Sequence, residues 1–216
     1  MHTEPAAPRQ PIDTVVFDLG GVLIDWDPRH LYRQLFSDPE EMEVFLRDVV
    51  SPHWNNEQDS GRTWAEATAL LMEQHPQHED MIRAYVDRWS DMLAGPIEGT
   101  VAILAEVRDA GCRIYALTNW SAETFPRARG LFPFLDWFEG IVVSGDERIR
   151  KPDPEIWRRT TERFKLDPAT TVYIDDMPRN AEVAASLGFR AIRFESPEQL
   201  RAQLVELGVL TASSRA

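Results

Sequence analysis

The chain has one cysteine, Cys112, among 216 residues. A single thiol excludes an internal disulfide and a thiolate zinc cluster. Cys112 opens the run Cys112-Arg113-Ile114-Tyr115-Ala116-Leu117, which reads as a buried strand. The thiol is therefore expected in the core rather than at work as a nucleophile. No apolar run is long enough to span a membrane. Residues 1–11 are rich in proline, alanine and polar side chains and lack the apolar centre of a secretory signal. They are expected to form a flexible tail, as are residues 211–216. A reducing, cytoplasmic setting is the expectation that follows. Positive charge is also in short supply: 23 Lys and Arg stand against 36 Asp and Glu, a formal net charge of −13. Nucleic acid and anionic membranes are poor partners for such a surface, since both call for basic patches. An anionic small molecule is not excluded, because a metal or a few local cations can reverse the field inside a cleft.

Apolar residues make up 43% of the chain, enough for a full core. The length fits one domain, or one domain with a sizeable insert. The organising stretch is Val15-Val16-Phe17-Asp18-Leu19-Gly20-Gly21. A β-branched run reads as a buried strand, and the two glycines read as a tight turn. Asp18 is thereby placed at the carboxyl end of a strand, where open α/β sheets bind ligands.

Ile24 to Pro28 reads as a connector that leaves the sheet. Beyond it, Leu31, Leu35 and Phe36, then Met42, Phe45, Leu46 and Val49, recur at helical spacing. So do Trp64, Ala67, Leu70 and Leu71, and then Ile82, Tyr85, Val86, Trp89 and Leu93. Residues 29–94 are therefore expected to form an all-helical insert with no strand, about the size of a small domain. Gly95-Pro96 closes it, and the two connectors side by side would make a hinge. From residue 98 the pattern alternates. Helices are expected at 101–110, 122–131 (broken at Pro126), 155–164, 180–187 and 197–207, with strands at 112–117, 140–144, 171–174 and 190–194. Strands separated by helices point to a parallel sheet covered on both faces. Residues 12–28 and 95–210 would form this α/β core.

Four stretches carry chemistry. They are Asp18 with Gly20 and Gly21, Thr118-Asn119-Trp120, Lys151-Pro152, and Asp175-Asp176 followed by Asn180. Each lies near a predicted strand end, so all can converge on one sheet edge. Adjacent acids repel and call for a cation. Mg²⁺ takes oxygen ligands and leaves room for a substrate phosphate. Asp18 can then attack phosphorus, Thr118 and Asn119 donate to phosphate oxygens, and Lys151 neutralises charge in the transition state. Asn180 is expected on one helix face with Asp176.

This ordered set, from Val15 to about Gly208, resembles the haloacid dehalogenase superfamily, whose members are mostly phosphatases. The resemblance implies a Rossmann-like core with a helical cap inserted after the first motif, which closes over the site. It implies that Asp18 is the nucleophile, that Thr118 and Lys151 occupy the second and third motifs, and that Asp176 and the carbonyl of residue 20 bind Mg²⁺, with Asp175 in support. The expected partner is a small phosphorylated molecule; no oligomeric state follows.

One position departs from the family's pattern. Phosphatases of this kind usually carry a second Asp two residues after the nucleophile, and here that residue is Gly20. General acid–base help contributes about 10²–10⁴-fold. Three readings follow. The substrate has a good leaving group, such as a sugar 1-phosphate or acyl phosphate. Alternatively Asp25 or Asp27 substitutes, although either equally suits a helix cap. In the third, turnover is slow and the protein is a binding module. The superfamily's 2-haloacid dehalogenases, in which Asp attacks carbon without a metal, are a further alternative that Asp18, Asn119 and Lys151 also fit. Among the aromatics, Trp64 and Trp89 fall in apolar stripes and are expected in the insert's core. Trp54 lies in a loop-like stretch and is expected to contact substrate, and Trp26 and Trp120 to wall the site. His53 is a lesser candidate, and Arg33 and Arg47 are expected on a solvated helix face, with the insert's side of the cleft as the alternative.

Overall fold

The computed structural model describes residues 10–212. Most of both predicted tails therefore lies outside the described residues. The chain opens with β1 (Thr14–Phe17), then β2 (Ile24–Trp26). Five helices follow: α1 (Pro28–Tyr32), α2 (Pro39–Asp48), α3 (Pro52–Gln58), α4 (Trp64–Gln74) and α5 (Glu79–Asp87). Next come β3 (Leu93–Pro96), α6 (Glu98–Asp109), β4 (Arg113–Thr118), α7 (Phe125–Leu131), β5 (Gly140–Val143) and α8 (Ser144–Glu147). The chain ends with α9 (Pro154–Phe164), β6 (Thr171–Asp175), α10 (Pro178–Ser186), β7 (Arg190–Arg193) and α11 (Pro197–Glu206).

Five strands form one parallel sheet in the order β5-β4-β1-β6-β7. Alternate residues serve its two faces, as the pleat requires. On one face Val15, Phe17, Ile114, Ala116, Val172 and Ile174 pack with Leu104 and Val107 of α6 and Leu200 and Leu204 of α11. On the other, Val16, Tyr115, Leu117 and Tyr173 pack with Ile156 and Trp157 of α9 and Ala184 of α10. Residues 14–17 are all buried, which is why this strand reads as a continuous apolar run.

The two connectors are not coil. β2 and β3 pair antiparallel, Ile24 opposite Pro96, and form a short ribbon at the base of the insert. The expectation of no strand up to residue 94 thus fails at Leu93, where the chain is already extended. Inside the insert, Trp54, Trp64 and Tyr85 form a mutually packed aromatic group, with ring centroids 5.1–5.5 Å apart. Leu70, predicted on an apolar stripe, is exposed. Pro126 does not break its helix. It occupies the first turn of α7, where its missing N–H costs nothing. Cys112 is half-buried just ahead of β4, with its thiol pushed up by burial, rather than fully within the core.

The insert is fastened to the sheet edge at several points. Trp64 Nε1 donates to Ser121 Oγ at 3.0 Å, and Ser144 Oγ donates to the carbonyl of Asp59 at 2.6 Å. The loop after β4 meets α8 backbone to backbone at Gly145, whose N–H donates to the carbonyl of Trp120 at 3.0 Å. A Cβ at Gly145 would lie 2.4 Å from the amide nitrogen of Ala122 and 2.8 Å from the Trp120 oxygen. Gly145→Ala is therefore expected to destabilise the protein by about 1–3 kcal/mol. In a thermal melt this should appear as a loss of about 3–10 °C.

Candidate active site

Asp18 follows β1 directly, and its N–H is still held by the Ile174 carbonyl of β6 at 2.8 Å. Thr118 ends β4 and Asp175 ends β6, so the parallel sheet delivers these side chains to one edge. Lys151 reaches the same edge from the loop before α9 and is 1% exposed. Its Nζ lies 2.8 Å from Asp18 Oδ2 and 2.7 Å from Asp175 Oδ2, and donates to the Leu117 carbonyl at 3.0 Å. All three ammonium hydrogens thus have acceptors.

Asp175 is the most fully satisfied group. Oδ2 also accepts from Tyr173 Oη at 2.6 Å, and Oδ1 accepts from the Met177 N–H and Asn180 Nδ2, both at 2.9 Å. Asn180 therefore serves Asp175 from within α10 and shares no helix face with Asp176, because the helix begins only at Pro178. Asn119 is likewise engaged. Its Oδ1 accepts from the Lys151 N–H at 2.8 Å and its Nδ2 donates to the Lys151 carbonyl at 3.0 Å, which clamps the lysine backbone. Thr118 is 1% exposed, and its hydroxyl has no hydrogen-bond partner among the described residues.

Asp18, Asp175 and Asp176 form a cluster with carboxylate oxygens within 4.8 Å of one another. Burial pushes Asp18 up to about 8, with Asp175 and Asp176 adding and Lys151 opposing. Burial also raises Asp175, but Lys151 and its hydrogen-bond donors hold it below the usual carboxylate range. Asp176 is raised by burial and by Asp175. For Lys151, burial works against the charge, yet Asp175 and Asp18 prevail and raise it. One ammonium does not neutralise three acids, and hard oxygen donors in this number suit a divalent cation of the Mg²⁺ kind. Gly21 makes room for the cluster. It sits at φ +73°, and a Cβ there would lie 2.8 Å from Asp176 Oδ2. At Gly20 a Cβ would meet nothing within 4 Å, so sterics do not forbid a side chain at that position.

A cavity of about 750 Å³ lies over this edge, between Asp18, Gly20, Gly21, Lys151 and Asp176 below and the insert above. Trp26 lines it, as expected, and Arg47 reaches its rim from an exposed position while paired with Asp48. Arg33 and His53 are exposed. A smaller cavity of about 70 Å³ shares Gly20, Trp26, Asn55, Asp59 and Asn119 with it and adds Trp120. Trp54 lines neither. It lies in α3, 8% exposed, and its Nε1 donates to the Ala67 carbonyl. Its Ser-Pro surroundings proved to be a helix start, capped by Ser51, and not a loop. Asp25 is exposed and paired with His30, away from both cavities. Asp27 lines the larger one but caps α1 through the Arg29 N–H.

Asp59 was not singled out in the sequence, where Asp59-Ser60-Gly61 is ordinary turn chemistry. It is 8% exposed, lines both cavities, and has no ion-pair partner among the described residues. Asn55 Nδ2 donates to its Oδ2 at 3.2 Å. Burial pushes it up to about 7, with Arg150 and Lys151 opposing.

The chain belongs to the haloacid dehalogenase-like hydrolase family, whose model matches residues 12–188. It is similar to sesquiterpene phosphatase astK of Aspergillus oryzae, 25% identical over 179 residues, which cover 80% of this chain and 85% of that one. Two other relatives are longer, and the chain spans 36% of one and 9% of the other. Among solved structures, a family enzyme of Bacteroides thetaiotaomicron in complex with magnesium and inorganic phosphate is 25% identical, with a TM-score of 0.64 over 86% of this chain and 95% of that one. L-2-haloacid dehalogenase of Xanthobacter autotrophicus shares the fold at 21% identity and a TM-score of 0.60, over 90% of this chain and 83% of that one. No helix among the described residues is long and apolar enough to cross a membrane.

Two stability measurements check this electrostatic description. Lys151→Met leaves two buried carboxylates unpaired and is expected to cost about 3–5 kcal/mol in urea unfolding. Asp59 works in the opposite sense. Its folded carboxyl keeps a proton that the unfolded chain releases near pH 4, so stability falls as pH rises from about 4 to about 7. Asp59→Asn removes that loss. The variant is expected to melt higher than wild type at pH 8, and by a smaller margin at pH 5.

Proposed function

We infer that the protein is a Mg²⁺-dependent phosphatase that hydrolyses a small phosphorylated metabolite through an aspartyl-phosphate on Asp18. The observation that carries this reading is the three-carboxylate cluster around a single buried ammonium at the sheet edge. Asp18, Asp176 and the backbone carbonyl of Gly20 would hold the ion. Asp175, whose oxygens already accept from four donors, would support them. Bound Mg²⁺ supplies the positive charge that keeps Asp18 ionised and lets a phosphate dianion approach.

The chain's own residues account for the rest. Asp18 Oδ2 attacks phosphorus, and Lys151, already hydrogen-bonded to it, stabilises charge that grows in the transition state. The unpaired Thr118 hydroxyl gains an acceptor in a phosphate oxygen. Asn119 holds Lys151 in place and has one amide hydrogen to spare for the phosphate. The helical insert acts as a cap, and its wall over the cavity meets the part of the substrate beyond the phosphate. A sugar 1-phosphate or acyl phosphate makes the smallest demand on a site that has glycine at position 20. The phosphatase relative and the phosphate-bound family structure support this reading. The acidic cluster disfavours metal-free attack on a 2-haloacid, whose carboxylate it would repel.

The test is phosphate release from a panel of sugar, acyl and aryl phosphates, with halide release from a 2-haloacid measured in parallel. Release is expected with Mg²⁺, to be lost with EDTA, and to fall roughly 10⁴-fold in Asp18→Asn. Metal-independent halide release without phosphate release would overturn the proposal.

A further inference from the structure

A phosphatase of this kind needs a group that gives the leaving oxygen a proton and later takes one from water. Position 20 carries no side chain to do this. The next two acids along the chain are engaged: Asp25 pairs with His30 away from the cavity, and Asp27, although it lines the larger cavity, caps α1 and pairs with Arg29. The described residues contain three buried acids, Asp18, Asp59 and Asp175. Two of them, Asp18 and Asp175, share the Lys151 ammonium. The geometry points to Asp59, carried by the insert, as the general acid and base that replaces a carboxyl at position 20.

Three observations carry this. Gly20 and Asp59 line the same two cavities, so the insert brings an acidic residue to the space that position 20 borders. Asp59 is also tied to the catalytic edge. Its backbone carbonyl accepts from Ser144 Oγ at 2.6 Å, and that hydroxyl accepts from the Trp120 N–H at 3.0 Å. Ser144 directly follows β5, and Trp120 lies two residues beyond β4, so the tie runs to the strand ends themselves. Third, the carboxyl has an amide neighbour but no cation in contact. Tyr85 Oη donates to Asn55 Oδ1 at 2.9 Å, and Asn55 Nδ2 donates to Asp59 Oδ2. A buried carboxyl so placed holds its proton, as a general acid must. Arg150 and Lys151 face it and favour the anion it becomes after donation; Tyr85 is the other titratable group beside it.

The step balances. As Asp18 bonds to phosphorus, the bond from phosphorus to the leaving oxygen breaks, and that oxygen takes the Asp59 proton and departs as an alcohol. Asp59, now a carboxylate, removes a proton from water while the water oxygen attacks the aspartyl-phosphate. The bond from phosphorus to Asp18 breaks, inorganic phosphate leaves, and Asp59 is again protonated.

This role rests on the phosphatase reading, and the test separates the two. The kcat/KM values for n-butyl phosphate, a poor leaving group, and p-nitrophenyl phosphate, a good one, are compared in Mg²⁺. Asp59→Asn is expected to lose about 10²–10⁴-fold on the butyl ester and less than about tenfold on the nitrophenyl ester, which also shows the variant folded. Adding Gly20→Asp to Asp59→Asn is expected to recover at least about tenfold on the butyl ester, because a Cβ at position 20 meets no neighbour. Asp25→Asn should change neither rate. Equal losses on the two esters, or no loss on the butyl ester, overturn the role of Asp59 and leave the phosphatase standing. A wild-type protein that releases phosphate from no ester overturns both.

Discussion

A dry ammonium governs this structure. Lys151 is buried between Asp18 and Asp175, with the Leu117 carbonyl as its third acceptor. Taking these charges out of water costs several kcal/mol per ion, and only near-complete pairing offsets it. Much of the surrounding architecture meets that demand. Parallel pairing aligns the ends of β1, β4 and β6. Asn119 fixes the Lys151 backbone from both sides. Tyr173, Asn180 and the Met177 N–H complete Asp175. What stays uncompensated is the charge around Asp18 and Asp176, and that residue of unbalanced negative charge is what the site has to offer a cation.

The insert is part of this arrangement rather than an appendage to it. Its aromatic group of Trp54, Trp64 and Tyr85 does two jobs from one packed unit. Trp64 reaches out to Ser121 in the loop after β4, and Tyr85 orders Asn55 and, through it, Asp59. Apolar packing thus sets the position of polar groups over the cavity. The cost of holding Asp59 without a cation is local and is borne by a part of the chain that also makes extensive apolar contacts.

Much of the sheet and of the candidate site at its edge was legible in the residues. Val-Val-Phe before Asp18, Ile-Tyr-Ala-Leu before Thr118 and Val-Tyr-Ile before Asp175 are buried on both faces, so they read as strands without help from the fold. The acidic pair was legible because like charges side by side demand an explanation. Trp54 was misread because Ser51-Pro52 is both a turn signal and a helix start, and only the packing of α3 against α4 distinguishes them. Asn119 carries no sign that its partner is a backbone 32 residues away. Asp59 was invisible for a related reason. Its character comes from burial where the insert meets the core and from the lack of a cation in contact with it, and neither is a property of the neighbouring residues.

The β2–β3 ribbon has a further consequence. Because Ile24 lies opposite Pro96, the chain leaves the core and returns to it at nearly one point, and the intervening segment closes on itself. Such a segment can be lengthened, shortened or exchanged without altering the order of the sheet, since its two ends stay paired. Exchange here would not be neutral. It would remove Asp59 along with the cavity wall, leaving a core with Asp18 and Lys151 still paired but no buried carboxyl over the cavity.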